Sequence, residues 1–98
     1  MLVEFPEPWR AVGRDEACNA EAELRREVCV QHVLARVSAE CLARRDDQDE
    51  FLFRLHDHAS EFAIVHLTWR IEPRPDWPHT TLCAGTKELM AELRGGSE

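Results

Sequence analysis

The chain has 98 residues, 44% apolar and 32% charged, enough for one domain with its own core and too few for two. Its formal net charge of −7 argues against the Lys- and Arg-rich surface that binds nucleic acid, and no apolar run reaches the ~18–20 residues that span a bilayer. The start, MLVEFPEPWR, carries acids where a secretory signal carries bases. These features point to an acidic cytoplasmic protein with neither a nucleic-acid nor a membrane partner.

Residues 1–14, with Pro6 and Pro8 around Glu7, read as an extended or irregular arm. An amphipathic helix is predicted over 15–31, capped by Asp15 or Asn19. Ala17, Leu24 and Val28 lie on its apolar side, while Glu16, Glu23, Arg26 and Glu27 fall mostly opposite. Residues 32–37 suit a helix extension and a linker equally.

Residues 38–69 predict a three-strand antiparallel meander. The polar cluster Asp46–Asp49 marks a hairpin with Arg45 opposite Glu50, so that Leu42 and Arg44 share a face with Phe51, Phe53 and Leu55. Cys41, Ala43 and Arg45 then fall on the other face with Leu52, Arg54 and His56. In the next strand Ala63, Val65, Leu67 and Trp69 are wholly apolar, whereas Phe62, Ile64, His66 and Thr68 are mixed. A one-residue slip would exchange these sets, so burial of the apolar one demands an odd number of residues in the turn at Asp57–Glu61, three or five.

Pro73, Pro75 and Pro78 make 70–79 a loop. Residues 80–94 predict a short strand and a helix from Lys87 to about Leu93, ending at Gly95. The fold class is α+β: an N-terminal helix, a three- or four-stranded antiparallel meander and a C-terminal helix, both helices on the Phe51/Phe53/Val65/Leu67 face.

That arrangement leaves the opposite face open and places chemistry there. With three residues in the second turn, Glu50 lies opposite Thr68, and Arg54 is a diagonal neighbour of His66, a grouping able to bind an anion or move a proton. Solvated neighbours on an exposed sheet face would look the same. His56 and His58 supply at most two metal ligands where zinc needs three or four, so no metal and no other cofactor is expected.

Trp77 and His79, on the proline-rich loop, suit either a rigid anchor for a protein partner or a lid over Phe62 and Ile64. Cys18, Cys29, Cys41 and Cys83 have no CxxC spacing and read as buried free thiols. No nucleophile elbow or phosphate-binding glycine loop occurs, so the residues favour binding over catalysis.

The segments ARRDDQDEFLFRL, FAIVHLTWR and DWPHTTL resemble a group of small bacterial proteins that join a strand hairpin to a VHLTW strand and a WPHT loop. The resemblance covers roughly Cys41 to Leu93. It implies a bacterial cytosolic domain and brings no activity and no catalytic residue.

The leading expectation is a monomeric or weakly dimeric module that engages a protein partner through Glu50, Arg54, His66, Thr68, Trp77 and His79. Its acidic turns suit a basic partner, as when an immunity protein neutralises a basic toxin. The rival is a small-ligand binder or enzyme using Arg54, His66 and Thr68.

Overall fold

The computed structural model describes residues 5, 9–45, 47–56, 58–70 and 78–93. Their order is β1 (Trp9–Ala11), α1 (Arg14–Glu27), β2 (Ser38–Arg45), β3 (Glu50–His56), β4 (Phe62–His66), β5 (His79–Cys83) and α2 (Thr86–Leu93). The strands form one sheet in the order β1-β2-β3-β4-β5, each antiparallel to its neighbours. The α+β class and the antiparallel sheet are as predicted. The strand count is not, because Trp9–Ala11 of the expected arm pairs with the edge of β2.

That pairing sets Arg10 opposite Arg44, two like charges across a ladder. Glu16 of α1 reconciles them, its carboxylate lying 2.8 Å from the Arg10 guanidinium and 3.2 Å from that of Arg44. These bonds hold the Glu16 carboxyl below the usual range and tie β1, α1 and β2 together.

The two helices cover opposite faces, which corrects their expected placement on one. On the α1 side Ala20 and Leu24 bury against Leu34, Cys41, Phe51, Phe53, Leu55, Ala63, Val65 and Leu67. On the other side Leu89 and Leu93 of α2 pack with Trp9, Ala43, Leu52, Phe62, Ile64 and Cys83. Phe62 and Ile64 share their strand face with His66, so the local pattern looked half-polar; tertiary packing covers the apolar part and leaves the histidine at the strand's end.

Two register details move individual residues. Cys41 pairs with Phe53 but Ala43 pairs with Leu52, so Leu42 is the extra residue of a β-bulge. The bulge sends Cys41 into the α1-side core and Leu42 to the α2 side, reversing the expected positions of both. The turn between β3 and β4 pivots at His58, whose Nδ1 accepts the Ser60 N–H at 2.9 Å, while the Leu55 N–H bonds the Glu61 carbonyl at 2.8 Å. Glu50 therefore lies opposite His66, not Thr68, and Arg54 opposite Phe62. This slide of two residues preserves parity, so Ala63 and Val65 still join Phe51 and Phe53.

Helix α1 is shorter than predicted, and its N-cap is Gly13, with no side-chain cap from Asp15 or Asn19. Residues 29–37 fold as successive tight turns, closed by His32 N–H to Cys29 O, Ala35 N–H to His32 O and Val37 N–H to Leu34 O. All four cysteines are free, but only Cys41 and Cys83 are buried; Cys18 is exposed and Cys29 half-buried. Burial pushes the Cys41 thiol up to about 12, removing it as a nucleophile. Among the described residues no helix is long and apolar enough to cross a membrane.

Candidate functional site

The residues singled out from sequence separate into three places. Glu50, His66 and His79 form one cross-strand row over β3, β4 and β5, since Glu50 pairs with His66 and His66 with His79. On the β2 side Arg45 Nη1 reaches Glu50 Oε1 at 3.5 Å, while its Nη2 bonds Asp47 Oδ2 more tightly at 2.8 Å. A carboxylate between a guanidinium and an imidazole on neighbouring strands can exchange protons or hydrogen-bond a polar group. No group of three His, Cys, Asp or Glu side chains among the described residues could hold a metal ion.

Arg54 is not part of that row. It is exposed between Glu40 and Phe62, four residues along β3 from Glu50. Thr68 lies beyond the end of β4 and turns toward α1, where its backbone N–H and hydroxyl both donate to Glu27 Oε1, at 2.9 and 3.2 Å. The expected Arg54/His66/Thr68 grouping is thus dispersed by the register slide. Trp77, and with it the lid over Phe62 and Ile64, lies outside the described residues.

Thr68 leads to a feature that sequence reasoning missed. Glu27 is fully buried, and besides Thr68 it accepts the Trp69 N–H on Oε2 at 2.5 Å. Five residues later His32, also buried, accepts the Leu34 N–H on Nδ1 at 2.9 Å. Its proton therefore sits on Nε2, which donates to the Pro78 carbonyl at 2.9 Å. Thr80 Oγ1 donates to the same carbonyl at 3.0 Å. Two buried polar side chains following one another along the chain thus fasten the VHLTW and WPHT segments, one at Thr68-Trp69 and the other at Pro78.

A signal for this existed. Glu23 and Glu27 are like charges at i and i+4, which destabilises a solvated helix face and asks for a reason. Both fall on the predicted polar side of α1, yet both are buried. Glu23 takes a bidentate hydrogen bond from Arg26, at 2.8 and 3.0 Å. Burial, together with the hydrogen bond to Glu23, raises the Glu27 carboxyl to about 7 against the pull of the Thr68 and Trp69 N–H groups. Glu23 is also opposed by burial, but hydrogen bonds from Glu27 and Arg26 outweigh it and hold its carboxyl below the ordinary value. Glu27 is therefore the proton donor of the pair.

The bonds from Glu27 bear on Trp69, expected in the core as the last residue of a strand. It is instead 46% exposed, with φ of 62°. Left-handed backbone at a bulky residue costs of order 1–2 kcal/mol, which the buried carboxylate offsets by bonding both adjoining N–H groups. The indole stands edge-on to buried Phe51, centroids 6.2 Å apart at 77°, and the Arg44 guanidinium lies 4.8 Å from the centroid of the same Phe51 ring. Trp69 is thus a half-exposed indole seated on buried Phe51, with its backbone fixed from beneath by Glu27, while the charge of Arg44 is met by Glu16 and Asp49.

No protein-family model, curated protein or solved structure matches this chain.

Proposed function

We propose that the chain is a bacterial cytoplasmic recognition module that engages a basic protein partner through the surface around Trp69. The observation that carries this reading is the half-exposed indole held in left-handed backbone by a fully buried carboxylate. An exposed tryptophan with its backbone already ordered loses little freedom on binding, and such residues supply a large share of interface energy. Strain held at one surface residue by a dedicated buried group is a recurrent mark of functional positions. The net charge of −7 favours a basic partner through long-range attraction. His79, at the start of β5, extends the proposed surface, with Glu50 and His66 beside it in the same cross-strand row. The resemblance of the VHLTW and WPHT segments to small bacterial proteins agrees with this, since these are the segments Glu27 and His32 secure.

A photoreactive residue at position 69 or 77 in the native host should give a discrete cross-linked product with a basic protein. With that protein purified, Trp69→Ala should weaken binding by roughly 30-fold, the effect of losing a tryptophan anchor worth about 2 kcal/mol. Undiminished affinity in a Trp69→Ala protein of normal circular dichroism would remove Trp69 from the site.

A further inference from the structure

A second site lies where α1 ends, and nothing in the recognition surface requires it. Leu24 of α1, Val28 at its C-cap, Leu34 and Val37 of the following turns, and the start of β2 line a cleft of about 530 Å³. That volume lies within the range of small-molecule sites. Its interior is mainly apolar, and at its edge Val30 is 81% exposed.

Arg25 and Arg36 also line the cleft. Neither guanidinium makes an ion pair or hydrogen bond with another described residue, although the chain holds 19 acidic residues against 12 basic ones. The other arginines of this region are engaged: Arg26 by Glu23, Arg44 by Glu16 and Asp49. The carboxylate that also lines the cleft, Glu21, is committed to the Cys41 N–H at 2.8 Å. Arg25 complements the α1 dipole from the last turn and is exposed at the cleft. Arg36 sits in left-handed backbone with φ of 64°, in a turn sequence secured by His32.

We infer that this cleft binds a small amphipathic carboxylate, its aliphatic tail against Leu24, Val28, Leu34 and Val37 and its carboxylate on Arg25 and Arg36. Planar guanidinium groups suit a carboxylate, and in an acidic protein two arginines without an acidic partner among the described residues, beside an apolar cleft, form a local attractor for an anion with an apolar body. Closed rings of tight turns, rather than a mobile loop, form one wall, so the site is largely pre-formed.

Titration of the 98-residue chain with sodium decanoate below its micelle concentration, followed by amide NMR, tests the inference. Decanoate should shift the amides of Leu34, Val37 and Ala39 saturably, decan-1-ol should bind at least about tenfold more weakly, and acetate should not bind. The surface double variant Arg25→Gln/Arg36→Gln should lower decanoate affinity to that of decanol, and Ala35→Trp should occlude the cleft. Absence of saturable decanoate binding, equal affinity for decanol, or wild-type affinity in the double variant would each overturn the proposal. Tighter binding of decyl phosphate than of decanoate would overturn the assignment to a carboxylate.

Discussion

Both faces of the sheet are apolar, yet they are built for different purposes. The α2 side closes Trp9, Leu52, Phe62, Ile64, Leu89 and Leu93 into a cluster without a buried charge among the described residues. The α1 side has the larger core and also buries Glu23, Glu27 and His32. Replacing buried polar groups by apolar ones commonly costs no stability, so their retention on one side alone points to a role beyond folding. On that side they hold the Thr68-Trp69 and Pro78 segments in one conformation. The lesson is that the sheet's two layers divide the work: α2 seals, and α1 seals and positions.

The contrast can be broken most sharply in the cores. Phe53→Ala, at a fully buried α1-side position, should cost about 3–5 kcal/mol in urea unfolding, whereas Leu89→Ala under α2 should cost about 2–3 kcal/mol because the eight-residue helix can settle onto the gap. Equal losses would show that the two layers contribute alike.

Next in size, Glu27→Ala orphans the N–H groups of Thr68 and Trp69 and should cost about 2–4 kcal/mol, with faster hydrogen exchange at those two amides. A loss below about 1 kcal/mol would mean that water replaces the carboxylate freely.

Acidity sharpens the comparison further. Glu27 binds its proton more tightly in the folded chain than in the unfolded one, so its contribution is fully present below the ordinary carboxylate value of 4.5 and is lost as pH rises through about 7. Glu23 has the opposite sign, its contribution being lost as pH falls toward its lowered value. Between about pH 5 and 8 the Glu27 effect dominates, so Tm should decline across that interval, and Glu27→Gln should flatten the decline. Parallel profiles for the two proteins would contradict the assignment of the shared proton to Glu27.

The smallest effect is expected at Trp69. Glycine would relieve the left-handed strain but lose the edge contact with Phe51, so Trp69→Gly should change stability by no more than about 1 kcal/mol. With the proposed partner the same variant should bind poorly, which separates a recognition residue from a structural one.

Much of the fold was legible in the residues themselves. The apolar runs in EFLFRLH and FAIVH predict β3 and β4, and parity put Phe51 and Phe53 on one face with Ala63 and Val65, although the opposite set of Leu52, Phe62 and Ile64 is buried as well. The break between β2 and β3, the strand near Thr80 and the helix around Leu89 and Leu93 followed from polar clusters, proline positions and apolar spacing. What could not be read there was pairing that depends on distant partners. Trp9–Ala11 is too short for a strand signal and becomes one because β2 offers a free edge. The Leu42 bulge and the His58 pivot shift register by one and two residues without leaving a mark on hydrophobic period. The candidate site was the least legible part, since Glu27 reaches Thr68 across 41 residues and His32 reaches Pro78 across 46.

By itself, then, the sequence determined the α+β class, the antiparallel meander and which residues of β3 and β4 share a face, because periodicity and turn chemistry act over a few residues. The tertiary structure alone decided that the helices lie on opposite faces, that Trp69 leaves the core, and that Glu27 and His32 hold the two motif segments. The first outcome rests on apolar packing against both sheet faces, the others on buried hydrogen bonds between remote residues, whose value exists only once the surrounding core has excluded water.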